Sequence, residues 1–291
     1  MNTDETFHES RSAARDLRDV AVDVYEHREL LTELTRRDLR IRYKQATMGL
    51  LWAVLAPLVV VLAGALFRYA LASAAGGTVA REDLAGLALK SLGWSFFVGA
   101  IGFATQCLTA NLPLVTKVYF PRELLPASAV LTQIVDTSIA VVVLGIVLPL
   151  AGIGSVAGAM WLGLMALLLI CLTLGVSLLV SCANVFFRDA RHVVQLFTSF
   201  GIFFTPVFYD VGMFGTQGVR LLMLNPLTPL LEGARLAFVH AHDLRLPLVS
   251  AGGTLVWSPW FLAYAAIVAV AGVTVSALVF RRVEADFAEY V

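Results

Sequence analysis

Long apolar runs alternate with short polar segments along most of the chain, and this pattern predicts membrane helices. Most of these runs are free of charge over about 20 positions, the length that an α-helix needs to cross the hydrocarbon core. The region 124–187 carries a single charge, Asp136, and Gly and Pro residues near 145–158 divide it into two helices. Six crossings are predicted, at about 48–70, 91–110, 127–150, 156–183, 192–210 and 259–280.

The segment 26–44 is amphipathic, because apolar residues recur at helical spacing and basic residues cover most of the other face. This pattern predicts a helix that lies along the membrane interface just before the first crossing. A shorter helix is predicted before it, with Leu17 and Val24 on one apolar face. The interface helix either anchors the chain or contacts a partner. Its candidate contact residues are Leu30, Leu34, Arg37, Arg40 and Tyr43.

The segment 211–240 contains two short apolar patches that are broken by Asn225, Pro226 and Pro229. Each patch is too short to cross a membrane, and irregular backbone persists at membrane depth only where protein or water satisfies its polar groups. The segment therefore predicts re-entrant helices between the fifth and sixth crossings. An ordinary external loop is the alternative.

Composition agrees with a membrane protein. The 291 residues are 59% apolar and 14% charged, whereas ordinary soluble domains are roughly 45–50% apolar and about 25% charged. A secreted domain, a nucleic-acid-binding protein and a soluble enzyme are therefore excluded as first interpretations. The predicted fold class is an all-α integral membrane protein with six transmembrane helices at 45–283.

Basic residues are distributed unevenly between the two predicted sides of the membrane. Fifteen of the 21 fall in the N-terminal segment or just after the second, fourth and sixth crossings, and five fall on the other side. The positive-inside rule then places both termini in the cytoplasm. Residues 1–25 would form a charged cytoplasmic extension, and residues 284–291 a cytoplasmic tail.

The sequence contains no recognisable catalytic or metal-binding pattern. The five histidines are scattered, the three cysteines lie in apolar stretches, and the Gly-Lys dipeptide of a phosphate-binding loop does not occur. We therefore expect no catalytic residue, metal or cofactor in this chain. If ATP and magnesium are used, a separate subunit would bind them.

Asp136 is the one acidic residue deep in the apolar region. A carboxylate at such a position holds helices together, here through a partner such as Asn184 or Gln106, or it lines a polar path, or it couples proton movement. Aromatic residues are also abundant, with 18 Phe, 5 Trp and 7 Tyr. Because sugars stack their C–H faces on aromatic rings, aromatic residues along a passage suit a glycan better than an ion.

Four strings in the chain resemble the ABC type-2 permeases that export polysaccharides such as O-antigen and teichoic acid. They are LTRRDLRIRYKQATMGLLWAVLAP at 34–57, LVTKVYFPRELLPASAVLTQI at 114–134, FTPVFY at 204–209 and LNPLTPLLEGARLAF at 224–238. The similarity runs in the same order as in the family, from about residue 28 to residue 288. The first 25 residues or so match nothing in the family core.

The resemblance implies a homodimer in the bacterial inner membrane, with two copies of a separate ATP-binding subunit on its cytoplasmic side. Lipid-linked polysaccharide would pass through a channel between the two permease subunits. Segment 115–123 would be the main contact with the ATPase, and segment 185–191 the second. The candidate coupling residues are Lys117, Tyr119, Phe120, Pro121, Arg122, Glu123, Arg188 and Asp189. Charged and aromatic groups in a short loop suit docking, and a loop that only sets topology is the alternative.

The same resemblance assigns the segment 211–240 to an external gate and the aromatic residues that face the dimer axis to the glycan channel. The candidate channel residues are Trp52, Trp94, Phe97, Phe103, Asp136, Phe203, Phe204, Phe208 and Tyr209. The candidate gate residues are Asn225, Pro226, Pro229, Glu232 and Arg235.

Three other functions are weighed against this one. A type-2 permease for a drug or a lipid is the nearest. A membrane enzyme acting on polyprenyl-linked sugars would require clustered Asp or His residues at one membrane face. A secondary carrier would require inverted repeats or several intramembrane charges. Neither of the last two patterns is evident in the sequence.

Overall fold

The computed structural model of the protein describes residues 13–44, 51–74, 76–117, 120–250, 252–284 and 287. Of residues 13–15 and 115–117 it describes the backbone alone. The predicted extension 1–25 and tail 284–291 therefore lie partly outside the described residues. The same holds for the first positions of the predicted crossing at 48–70.

Helices account for nearly all of the regular structure. Five of the described helices are long and apolar enough to cross a membrane, namely Leu51–Ala74, Arg81–Ala110, Leu124–Leu150, Val156–Phe186 and Pro259–Val283. The helices are α1 (Ala13–Glu26), α2 (Arg28–Tyr43), α3 (Leu51–Ala74), α4 (Arg81–Ala110), α5 (Leu112–Lys117), α6 (Leu124–Leu150), α7 (Val156–Phe186), α8 (Ala190–Phe204), a short 3-10 turn (Val211–Phe214), α9 (Gly215–Met223), α10 (Leu227–Phe238) and α11 (Pro259–Val283). Two short strands, β1 (Leu248–Val249) and β2 (Leu255–Trp257), pair antiparallel.

The structure is mostly helical, in agreement with the all-α prediction, and the strand pair is a short addition that the sequence did not predict. It lies in the connector between α10 and α11, and Gly253 adopts a positive φ of 77° in its turn. The side chain of Trp257 is fully buried, and its indole N–H donates to the carbonyl of Leu244 at 3.0 Å. Periodicity did not predict this hairpin because strands of two and three residues are too short to produce an alternating pattern.

The fourth helix begins ten residues before the predicted crossing at 91–110. The prediction excluded the first three turns because they carry charged residues. One of these residues, Asp83, caps the helix, since its carboxylate accepts the backbone N–H of Ala80 at 3.2 Å. Smaller shifts occur where α6 starts at Leu124 and where α7 ends at Phe186.

The predicted fifth crossing at 192–210 is only partly helical. The eighth helix has 15 residues and ends at Phe204, where Thr205 is extended and Pro206 follows. A residue before proline is biased away from helical backbone, which explains the end of the helix. At 1.5 Å per residue, α8 is about 22 Å long, shorter than the roughly 30 Å hydrocarbon core. The predicted fifth crossing, and with it the total of six crossings, therefore stays a prediction.

The seventh helix is central to the bundle and packs against α4, α10 and α11. Its contact with α11 is close at Gly175, where an added Cβ would lie 2.9 Å from the backbone nitrogen of Val273. Small residues allow membrane helices to approach in this way, and the resulting van der Waals contact drives their association. The two ends of the bundle contain segments that carry polar and charged side chains.

One end, called here the basic end, contains α1, residues 120–123 and the last turn of α11. Leu34, Leu108, Phe120 and Phe280 belong to a single apolar cluster at this end. The opposite end contains α9, α10 and the strand pair. The Asp23 carboxylate of α1 contacts Arg281 at 2.5 Å, so the first and last helices meet at the basic end.

The predicted interface helix at 26–44 is α2, and the shorter helix predicted before it is α1. The second helix runs beside α6 in the same direction. Asp38 accepts a hydrogen bond from Ser128 at 3.2 Å, and Arg42 donates to Gln133 at 3.2 Å. Because both partners advance together along the two helices, α2 rises along α6. Polar groups on α6 thus provide partners for the polar face of α2, and the position of α2 along the membrane interface stays a prediction.

Candidate functional site

A buried ion pair joins α2 to α6. Asp136 is 5% exposed, and its carboxylate forms a salt bridge with Arg42 and accepts a hydrogen bond from the Tyr43 hydroxyl at 2.6 Å. These partners correct the prediction that Asn184 or Gln106 would hold Asp136. The amide of Asn184 donates instead to the Thr109 hydroxyl at 3.3 Å.

A cavity of about 460 Å³ lies beside this ion pair, between α2, α3, α4 and α6. The Arg42 guanidinium stacks over the ring of Phe103, with 3.7 Å between its central carbon and the ring centroid. The volume lies within the roughly 300–1,000 Å³ of small-ligand pockets. Four of the nine predicted channel residues line this cavity, namely Trp52, Trp94, Phe103 and Asp136.

The remaining predicted channel residues lie elsewhere. Phe97 is only 4% exposed and packs in the core against Trp94, which is equally buried, so neither offers a free ring face in the subunit. Phe203 and Phe204 are exposed at the end of α8. The ring of Phe208 packs on Phe203, and the Tyr209 hydroxyl donates to the Phe203 carbonyl at 2.8 Å. The predicted channel residues therefore lie either at the cavity or near the end of α8, and Phe97 is buried in the core against Trp94 of the cavity group.

An ion cluster occupies the opposite end of the bundle. Lys90 and Glu232 are fully buried, and the Lys90 ammonium lies 3.5 Å from the Glu232 carboxylate and 2.9 Å from the Tyr209 carbonyl. Arg235 donates to the other oxygen of Glu232 at 3.1 Å. These contacts hold α10 against α4.

The same cluster extends to α3 and to the segment before α9. Arg68 contacts Asp210 at 2.8 Å and Asp83 at 3.3 Å, while Lys90 lies 3.6 Å from Asp210. Three basic and three acidic groups therefore balance one another. The six-residue ion cluster, as we call it, consists of Arg68, Asp83, Lys90, Asp210, Glu232 and Arg235.

The predicted gate residues contribute to α10 and to this cluster. Asn225 precedes α10, where its side-chain oxygen accepts the Leu227 N–H at 3.1 Å and its amide donates to Thr205 at 2.9 Å. Pro226 and Pro229 lie at the start of α10, where the backbone N–H groups that they lack have no helical partner. Glu232 and Arg235 are members of the ion cluster.

The described residues of the predicted coupling loop make contacts within the protein, and their role in docking stays a prediction. Glu123 is 3% exposed and lies 3.8 Å from Arg281, and Phe120 is also buried. The backbone N–H of Arg122 donates to the Glu284 carboxylate at 3.2 Å, and its guanidinium donates to the Glu284 carbonyl. Pro121, the residue between Phe120 and Arg122 in the sequence, is partly buried. Tyr119 and the side chain of Lys117 lie outside the described residues.

The second predicted coupling segment is exposed. Arg188 and Asp189 lie in the turn between α7 and α8, where both are exposed to solvent. Phe187, which sequence analysis did not include among the candidates, is 70% exposed in the same turn. An exposed aromatic ring beside two charges has the composition of a protein-contact surface.

Comparison with known families identifies the protein class. The sequence profile of the ABC-2 type transporters matches residues 29–239, more than two thirds of the chain. The chain belongs to the ABC-2 type transporter family. It is 27% identical over 238 residues to the O-antigen export system permease protein RfbA of Myxococcus xanthus, covering 77% of this chain and 85% of that protein.

Two further relatives of this ABC-2 transporter are O-antigen export system permease proteins RfbA of Klebsiella pneumoniae. They are 26% and 24% identical over 213 residues, which cover 73% of this chain and 81% of each relative. Members of the family are membrane subunits of transporters and not enzymes. The matched region contains the cavity residues and the ion cluster, whereas α1, the strand pair and α11 lie outside it.

The roles of Arg68, Lys90 and Asp210 in this ABC-2 transporter are not evident from local sequence. Each of them borders a predicted apolar run, and that position alone does not indicate a buried ion pair. A usable signal was present, since Glu232 and Arg235 lie three residues apart in the otherwise uncharged α10. Charges of both signs on a buried short helix require partners, and the charges that border neighbouring runs are the available ones.

Glu123 makes the stability of the ABC-2 transporter dependent on pH. Burial, and secondarily the nearby Glu284 carboxylate, raises the pKa of Glu123 from 4.5 to about 7, although Arg281 lies close. The folded protein therefore holds the Glu123 proton more tightly than the unfolded chain. Its stabilising contribution is complete below the unfolded pKa and is lost as pH rises from 4.5 to about 7, with an upper limit of about 1.4 kcal/mol per pH unit.

Glu123→Gln is therefore expected to reduce the fall in unfolding temperature over this pH range and to stabilise the protein above it. Glu29→Gln, the same chemical change at an exposed position on α2, provides the matched control. Thermal unfolding of the purified full chain as a function of pH measures both. Parallel pH profiles for wild type and Glu123→Gln would contradict this account.

Proposed function

We propose that this chain is the membrane-spanning permease subunit of an ATP-driven exporter for a lipid-linked polysaccharide. The supporting observation is that three relatives, each matching 73–77% of the chain, carry the name of O-antigen export permeases. The glycan would be of the O-antigen, teichoic-acid or cell-wall type. In this proposal two copies of the chain form the channel in the bacterial inner membrane, surrounded by membrane lipid, and both termini are cytoplasmic.

A separate subunit supplies the energy in this proposal. The sequence has no Gly-Lys dipeptide, so two copies of an ATP-binding subunit would hold ATP and magnesium. They would bind the basic end, which the positive-inside rule assigns to the cytoplasm. The exposed turn with Phe187, Arg188 and Asp189 is the described surface best suited to receive them.

Movement of this turn would pass to the opposite end through α8. The eighth helix begins one residue after Asp189 and ends at Phe204, and Thr205 beyond it accepts a hydrogen bond from Asn225 at the start of α10. A rigid shift of α8 would therefore act on α10 directly. In the proposed exporter, α10 and the six-residue ion cluster close the external exit until that shift occurs.

A drug or lipid permease is the second candidate, and one observation favours it. A groove of about 710 Å³ between α4, α6, α7 and α10 is lined almost entirely by apolar residues, including Leu144, Gly145 and Met165. The cavity beside Arg42 and Asp136 is also lined mainly by apolar surface, but charged, amide and aromatic side chains face it as well. That mixture suits a glycan, and it supports the first proposal.

Complementation of a deletion strain tests the function and the coupling surface together. Deletion is expected to remove a surface glycan, and wild-type protein to restore it. Arg188→Glu combined with Asp189→Lys is expected to lower export at least about tenfold, because charge reversal opposes docking of the ATPase. Arg220→Glu, an exposed charge reversal on α9 at the opposite end, is expected to export normally. Equal amounts of each protein in the membrane are verified by immunoblotting.

Each result of this experiment has a defined consequence. Unchanged surface glycan after deletion would reject the polysaccharide function, and altered drug or lipid export would favour the second candidate. Normal export by the Arg188/Asp189 variant would reject the coupling surface. A stable complex of the purified chain with an ATP-binding subunit, lost in that variant and retained in Arg220→Glu, would support it.

A further inference from the structure

We infer that the cavity between α2, α3, α4 and α6 binds a neutral saccharide unit within each subunit. The inference deepens the proposed function and rests on it for the choice of a sugar over other neutral polar ligands. A channel formed between two subunits does not by itself require such a cavity inside one of them. The inference is based on the polar groups, the ring faces and the charge balance of the cavity.

The polar groups face the cavity from two helices. Asp136, Gln133 and Thr137 are spaced three and four residues apart on one side of α6, and Arg42 and Tyr43 approach them from α2. The Gln133 side-chain nitrogen lies 3.4 Å from the Thr137 hydroxyl. Carboxylate, amide, hydroxyl and guanidinium groups together provide the donors and acceptors that vicinal sugar hydroxyls pair with.

The guanidinium of Arg42 keeps donors for a ligand. Its contacts with Gln133 and Asp136 both use the Nη1 group, and among the described residues its Nη2 and Nε groups donate to no other side chain. The Tyr43 hydroxyl fixes one oxygen of the Asp136 carboxylate at 2.6 Å. A preorganised carboxylate and guanidinium can therefore bind hydroxyl groups without first rearranging.

Aromatic rings form the other walls. Trp52 is 55% exposed and Phe103 is 51% exposed, so both rings retain surface that a ligand can cover. Phe103 is covered on one face by Arg42, whereas Trp52 contributes a large apolar surface from α3. The C–H face of a sugar ring buries apolar area against such a surface while its hydroxyls reach the polar side.

Charge balance decides between a sugar and an anion. The lining residues include one base, Arg42, and one acid, Asp136, and these two neutralise each other in a salt bridge. A phosphate or pyrophosphate would have to displace Asp136 or approach its negative charge at low dielectric, which is costly. A neutral polar ligand meets no such opposition, so the cavity is matched to the uncharged sugar units of a glycan and not to the phosphate of a lipid carrier.

Saturation-transfer NMR on the purified full chain tests the inference. The protein is placed in lipid nanodiscs, because glucoside and maltoside detergents carry sugars that would occupy the cavity. The probes are the neutral disaccharides maltose, cellobiose, lactose and mannobiose, with inorganic pyrophosphate as the anionic comparison. We expect saturation transfer to the C–H protons of at least one disaccharide, and no displacement of that disaccharide by pyrophosphate.

Trp52→Ala is expected to weaken disaccharide binding about tenfold or more, and Trp52→Phe to retain most of it, because Trp52 provides ring surface and no charge. Trp260→Ala is the matched control, since Trp260 is 80% exposed on α11, which does not line the cavity. Asp136→Asn is expected to weaken binding as well. For every variant, unchanged thermal unfolding establishes that the fold is intact before binding is compared.

Three outcomes would overturn the inference. They are the absence of saturation transfer from wild-type protein to every disaccharide, equal losses in Trp52→Ala and Trp260→Ala, and displacement of the sugar by pyrophosphate. Failure of the proposed function gives a different result, because a deletion strain that keeps its surface glycan rejects export even if disaccharides bind. A deletion strain that loses its glycan, together with absent disaccharide binding, rejects the saccharide site alone.

Discussion

Replacing Glu232 with leucine is expected to lower the free energy of unfolding by about 3–5 kcal/mol, the typical cost of removing one partner from a buried ion pair. Glu232 is fully buried, and its carboxylate contacts both Lys90 and Arg235. Leucine would leave two basic side chains with a single acidic neighbour, Asp210, among their contacts at this end of the bundle. Chemical or thermal unfolding of the purified chain measures the change.

A second substitution distinguishes lost charge balance from lost packing. Lys90→Met together with Glu232→Leu removes one base and one acid, so the remaining members of the cluster are neutral again as a group. The double variant is expected to be more stable than the sum of the single effects predicts, by about 1–3 kcal/mol. Glu33→Gln, in an exposed pair with Arg36, is the control and is expected to cost at most about 0.5 kcal/mol. Strictly additive effects would contradict the proposed coupling.

Gly175→Leu is expected to destabilise the protein by about 3 kcal/mol, the upper part of the usual range for overpacking, because the side chain would occupy space that the α11 backbone already fills. An added Cβ would lie 2.9 Å from the Val273 nitrogen and 3.0 Å from the Gly272 carbonyl carbon. These are backbone atoms, so neither can move aside without displacing α11. The two helices would have to separate, and the van der Waals contact between them would be lost.

Gly163→Leu provides the matched control on the same helix, because an added Cβ there meets nothing within 4 Å. This variant is expected to be unchanged or more stable by up to about 1 kcal/mol, since leucine has the higher helix propensity. Thermal unfolding in nanodiscs, read by circular dichroism, compares the two. Equal stability of Gly175→Leu and Gly163→Leu would show that the α7–α11 contact does not limit stability.

Much of the helical framework is predictable from local sequence. Long apolar runs with few or no charges mark α3, α6, α7 and α11. A charge inside the hydrocarbon core is costly, and this cost can be recognised from local sequence without knowledge of tertiary contacts. The early start of α4 was not predictable by this rule, since Lys90 in its third turn is neutralised by Glu232 of α10, 142 residues away. Local composition contains no information about such a distant partner.

The candidate site was predictable to a smaller extent. Asp136 attracts attention from sequence alone, but its partners Arg42 and Tyr43 are more than 90 residues away and were assigned to a surface helix. Likewise, a short loop with charges on both Arg122 and Glu123 resembles a docking surface. Only the folded chain brings Glu284 and Arg281 against it, which turns the same charges into internal contacts.

The charge on α10 determines how the proposed gate responds to voltage. Glu232 and Arg235 are the only charged residues between Leu227 and Phe238, so this helix has no formal net charge. A membrane potential does work of about 2.3 kcal/mol per elementary charge per 100 mV, and that work is zero for a helix whose charges cancel as it moves. In the proposed exporter, the resting potential of the cell would therefore neither hold α10 in place nor draw it outward, and the position of α10 would depend on mechanical force from the rest of the protein.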